Sequence, residues 1–82
     1  MFPAVLRTGP YRLYLVSHDL HEPAHVHIDL DSFSAKFWLS PVALAYNLGF
    51  PARELRKLET LTSKYQKELL EAWNDYFGIQ SR

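Results

Sequence analysis

Between Ala24 and Leu39 two alternating runs meet at Asp31-Ser32, and their apolar faces coincide if the chain folds back there. In the first run Ala24, Val26, Ile28 and Leu30 point one way, while His25, His27 and Asp29 point the other. A two-residue loop pairs Leu30 with Phe33, Ile28 with Ala35 and Val26 with Phe37. The same register sets His27 opposite Lys36 and His25 opposite Trp38. A slip of one residue would turn the whole apolar set towards water, so the pairing is strongly specified.

The flanking segments extend this hairpin in both directions. Ala4 to Thr8 and Tyr11 to Ser17 read as two strands around Gly9-Pro10, where glycine accepts the positive φ of a tight turn. In the second strand Tyr11, Leu13 and Leu15 share one face, and Arg12, Tyr14 and Val16 the other. Ser17 to Pro23 reads as a loop. After Ser40-Pro41, Val42 to Tyr46 reads as a short fifth strand or a helical turn, and Asn47 to Pro51 as a connection.

From Ala52 the apolar period becomes helical. Leu55, Leu58, Leu61 or Thr62, Tyr65, Leu69, Trp73 and Tyr76 form a stripe, with Arg53, Lys57, Lys64, Lys67, Glu71 and Asp75 mostly outside it. Tyr65, Trp73, Tyr76 and Phe77 are expected in the core. Pro51 suits the helix start and Gly78 its end. A capping box of Ser63 with Gln66 would split the segment in two. The fold expected is therefore α+β: a small antiparallel β-meander of four to five strands, covered by one long or two short C-terminal helices. Residues 1–82 are read as a single domain, with the meander over about 1–48 and the helical part over about 51–78. The core should contain Val26, Ile28, Phe37, Leu39, Leu55, Leu58, Leu69 and Trp73.

With 82 residues, small size makes the margin of stability thin, and a partner subunit or homo-oligomer is one way to widen it. Lysine plus arginine balances aspartate plus glutamate at nine each, so no global field steers the chain to nucleic acid or membrane. Cysteine is absent, which removes disulfides, thiolate metal sites and cysteine nucleophiles. A disulfide-free small domain fits a reducing compartment, and a cytoplasmic location is expected. Met-Phe-Pro-Ala-Val-Leu-Arg does not read as a signal peptide, and no run approaches the roughly 18 apolar residues of a membrane span.

The concentrated chemistry is His21-Glu22-Pro23-Ala24-His25-Val26-His27. Histidines two apart on a strand point the same way, about 7 Å apart by strand rise. One strand could offer His25 and His27 to one divalent metal, with His21 or Glu22 folding back from the loop. Alternatively His25 and His27 act as acid and base on a phosphodiester, with Lys36 stabilising the anionic transition state. The third reading is structural, histidines serving as polar residues on a solvated strand face. No third metal ligand is fixed by the pattern, and no cofactor is required by it.

If the hairpins join one sheet, Arg7, Arg12, His25, His27 and Lys36 share the face opposite the core, with Tyr14 and Trp38 among them. Arg7, Arg12, Lys36 and Trp38 could then hold phosphates and stack bases. The competing expectation is a face for a partner chain, with Trp38 and Tyr14 in the contact.

The order of segments resembles the bacterial family catalogued as domain of unknown function 4160. The matching stretches are Val5-Leu6-Arg7 with Gly9 and Tyr11-Arg12, then the motif from His21 to His27 and Ala35-Lys36-Phe37-Trp38-Leu39. Leu44-Ala45-Tyr46-Asn47, Gly49-Phe50, Glu54-Leu55 and the run from Glu68 to Asn74, on to Phe77-Gly78, complete them. Pro51 stands in place of a serine and Ala24 in place of a second proline. The resemblance implies no established activity. It does imply a gene paired with another small uncharacterised protein, in toxin–antitoxin-like arrangements. The function expected is thus a small cytosolic protein-interaction module within such a pair, with a small protein partner encoded nearby. A metal-independent ribonuclease or RNA-binding protein, and a metal-binding protein, are the alternatives.

Overall fold

The computed structural model describes residues 4–16 and 22–77. Five strands run β1 (Ala4–Thr8), β2 (Tyr11–Tyr14), β3 (His25–Leu30), β4 (Phe33–Leu39) and β5 (Val42–Leu48). Two helices follow, α1 (Ala52–Lys64) and α2 (Gln66–Phe77). The strands form one antiparallel sheet in the order β1-β2-β3-β4-β5, so every chain neighbour is also a sheet neighbour. This is the α+β meander with C-terminal helices that the sequence pattern leads one to expect.

The central hairpin has the expected register at every pair, from Leu30 with Phe33 to His25 with Trp38. Asp31 supplies the turn with a φ of 54°, a left-handed value that aspartate tolerates better than most residues. Gly9 does the same for the first hairpin, where Thr8 pairs with Tyr11. The segment after Ser40-Pro41 is a seven-residue strand, which resolves the strand-or-turn alternative. Its pairing with β4 slips between Lys36 and Phe37, because Phe37 faces Leu44 while Lys36 faces Tyr46. Ala45 is the extra residue of a β-bulge.

The helical segment breaks at Tyr65. The expected capping box is not what organises the break. The Gln66 amide instead donates to the Leu39 carbonyl at 2.6 Å, tying the start of α2 to the end of β4. Buried Thr62 is satisfied within α1, its hydroxyl donating to the Leu58 carbonyl at 2.8 Å.

Leu13, Leu15, Val26, Ile28, Phe37, Leu39, Leu58, Leu69 and Trp73 form the core, with Ala35 and Phe50, and Leu55 packs partly buried against it. Tyr11 donates from β2 to the Glu54 carboxylate on α1, a polar cross-link at the edge of this layer. One member of the helical stripe departs from the expected core: Tyr76, near the end of α2, is exposed. The side chain of Phe77 and residue Gly78 lie outside the described residues. No helix among the described residues is long and apolar enough to cross a membrane.

Candidate functional site

Strand pairing fixes which side chains share the face opposite the core. One row runs Arg7, Arg12, Asp29, Ser34, Leu48 from β1 to β5. The next runs Tyr14, His27, Lys36, Tyr46, and the third His25, Trp38, Ala43. The residues singled out as catalytic, nucleic-acid-binding or partner-binding all fall on this grid. His21, the remaining metal candidate, lies outside the described residues.

The first row is organised by a residue to which sequence reasoning gave no role. The Asp29 carboxylate accepts from Tyr14 Oη at 3.0 Å and Arg12 Nη2 at 3.3 Å on one oxygen, and from Ser34 Oγ at 2.8 Å on the other. The hairpin register places Ser34 opposite Asp29, so one of these three contacts was within reach of the pattern. The rest needed the pairing of β2 with β3. Burial raises the Tyr14 hydroxyl above its ordinary value, and the Asp29 carboxylate adds to this through its hydrogen bond and its charge.

In the second row the Tyr14 and His27 rings stack at 5.3 Å and 18°. The Arg12 guanidinium lies 4.8 Å from the Tyr14 ring centre. Lys36 Nζ is 2.7 Å from Glu22 Oε1 and 5.1 Å from the Trp38 ring centre. Two of the three proposed phosphate-binding cations, Arg12 and Lys36, thus already face carboxylates. Arg7 is exposed at the edge.

The third row departs from the expectation of a solvated strand face. His25 is completely buried, packed against His27 (5.2 Å between ring centres), Trp38 (5.7 Å) and Trp73 of α2 (5.0 Å). Its Nδ1 is 2.8 Å from the Pro23 carbonyl. A carbonyl can only accept, so Nδ1 carries a proton. Strand alternation puts His25 on the polar face, and there it is enclosed by neighbours that include Trp73 of α2.

Chemically, the grid offers His27, Lys36 and the Asp29 network towards solvent, with His25 beneath. His25 and His27 are adjacent, as a shared metal would need. Among the described residues, however, no three His, Cys, Asp or Glu side chains are gathered as a metal site. The partner-binding candidates differ in access, since Tyr14 is nearly buried and Trp38 half-buried. Three exposed large apolar residues that the pattern did not flag lie on β5, Leu44, Tyr46 and Leu48, at 45%, 54% and 53% exposure, and Phe33 at the start of β4 is exposed as well. Alternation alone would have set all three β5 residues on the core face with Val42, and the bulge at Ala45 is what turns Tyr46 and Leu48 to the open face.

Comparison with curated proteins and with solved structures finds no match to the chain. The family described as Domain of unknown function (DUF4160) matches residues 11–74, from the first residue of β2 to within the last turn of α2. That span takes in four of the five strands and nearly all of both helices, and the chain belongs to this family.

Proposed function

We propose that the chain is a small cytosolic protein-interaction module, one component of a two-gene toxin–antitoxin-like pair, which docks its partner on the flank of β5. The observation that carries this reading is the pair Tyr46 and Leu48, both more than half exposed and both on the open face. They belong to an edge strand, Val-Ala-Leu-Ala-Tyr-Asn-Leu, that has no charged residue. Exposed apolar side chains gathered on one edge mark contact surfaces more often than chance exposure does. Tyr46 stands opposite Lys36, which lies over Trp38, so the flank continues into the Trp38 surface.

The same face gives less support to RNA. A phosphate approaching Arg12 or Lys36 would have to displace Asp29 or Glu22. The Tyr14 and His27 rings already use each other as stacking partners.

The test is co-purification with the product of the neighbouring gene, followed by calorimetric titration. Tyr46→Ala should weaken the complex by about 2 kcal/mol if it is a hot spot. Leu48→Arg should weaken it further. If the neighbouring product does not bind at concentrations where both proteins are folded, the reading is wrong.

A further inference from the structure

The bulge at Ala45 divides β5 between two surfaces. Tyr46 and Leu48 turn to the open face, whereas Leu44, opposite Phe37, turns towards α1. There, a cleft of about 280 Å³ opens between β5 and α1, walled by Phe37, Val42, Leu44 and Leu55 and bordered by Arg56 and Glu59. We propose that this cleft is a self-association site, filled by Leu44 of a second copy of the chain in a two-fold dimer.

Three observations favour a second copy over other occupants. First, the cleft has its own knob beside it, since Leu44 lines the wall and is 45% exposed. In a two-fold interface each patch meets itself, so a knob adjacent to a hole is self-complementary. Second, Arg56 and Glu59 are exposed, three residues apart on one face of α1, and neither is ion-paired among the described residues. A two-fold axis would bring Arg56 of one copy to Glu59 of the other, twice. A ligand of a single charge sign would meet one repulsive side chain instead. Third, the bulge interrupts the edge, which disfavours a strand adding along all of β5. The balanced charge of the chain leaves no net repulsion between copies.

Sedimentation velocity on the full chain, from about 1 μM to about 1 mM, tests this across the range of weak to moderate affinity. The wild type should show a reversible monomer–dimer equilibrium. Arg56→Glu alone and Glu59→Arg alone should each weaken it at least about tenfold, by setting like charges opposite each other. An equimolar mixture of the two variants should recover dimer, because each copy then supplies the sign the other needs. Leu44→Ala, which alters the knob and no charge, should also dissociate the dimer, and it reads the same interface should a charge variant fold poorly. A wild type that stays monomeric overturns the proposal. So does a dimer indifferent to Leu44→Ala and both charge variants, or a mixture of two folded charge variants no more associated than either alone. Titration with the neighbouring gene product is a separate measurement, so loss of self-association leaves the β5 open-face reading standing, and the converse also holds.

Discussion

The indole of Trp73 lies 5.0 Å from the imidazole of His25, tilted by 55°, and it joins that histidine to the hydrophobic core. Trp73 is itself 5% exposed, so a single side chain of α2 both fills the core and covers the end of the sheet. The polar motif around His25 is therefore part of the packing as well as part of the open face.

Trp73→Ala should cost about 3–5 kcal/mol in urea unfolding, the range for removing a buried tryptophan. That is a large share of a small domain's stability. It should also open His25 to diethyl pyrocarbonate, from which the native packing shields it. Equal His25 reactivity in wild type and variant would show that Trp73 is not the cover.

Tyr14 makes stability pH-dependent at the alkaline end. Its folded-state value is raised above the ordinary value of 10.0, first by burial and then by the Asp29 hydrogen bond and charge. Below the unfolded value both states hold the proton, and the contribution is fully present. Above it the unfolded chain loses the proton first, so stability falls as pH rises from about 10 through the folded-state value. Denaturant midpoints should decline over that window, and Tyr14→Phe should flatten the decline. An equal slope in both proteins would remove Tyr14 as the cause.

The central hairpin was legible because local rules agreed: a turn pair at Asp31-Ser32, strict alternation, and apolar faces that match in one register. The position of His25 on the strand was legible for the same reason. Its burial was not, since one of the rings packed against it, Trp73, lies 48 residues further along the chain (73 − 25). Tyr76 failed in the opposite sense. Helical periodicity places it on the apolar stripe, yet it is 56% exposed. The Ala45 bulge also escaped the pattern, because a short apolar run such as Val42 to Leu48 does not say where its alternation slips.

Gly49 should not tolerate alanine. Its φ is 101°, where L-residues are strained, and an added Cβ would stand 2.6 Å from Cδ1 of Phe33. The loop has little room to adjust, because the Asn47 side chain bonds both the N–H and the carbonyl of Phe50, each at 3.0 Å. Gly49→Ala should cost about 1–3 kcal/mol, the range for holding a residue in such a conformation. In a Phe33→Ala background the clash disappears and the backbone strain remains, so part of the loss should persist. A neutral Gly49→Ala would contradict the loop geometry.

The last prediction separates binding from catalysis on one set of variants. Acid–base cleavage of RNA needs one group to take the 2′-hydroxyl proton and another to protonate the leaving oxygen. His27 and Lys36 reach solvent, whereas His25 is enclosed by Trp38 and Trp73, so a substrate could use His25 only after α2 moves. For a binding module, His27→Ala should leave partner affinity within about 0.5 kcal/mol, as for a substitution away from the docking flank. Tyr46→Ala should lower that affinity by about 2 kcal/mol, and no variant should show RNA turnover to lose. For a ribonuclease, turnover should follow a bell-shaped pH profile and fall on the order of 10²–10⁴ in His27→Ala. Trp73→Ala, by freeing His25, should then raise turnover wherever the variant remains folded. Observing that rise together with the His27→Ala loss would move the function from the β5 flank to the histidines.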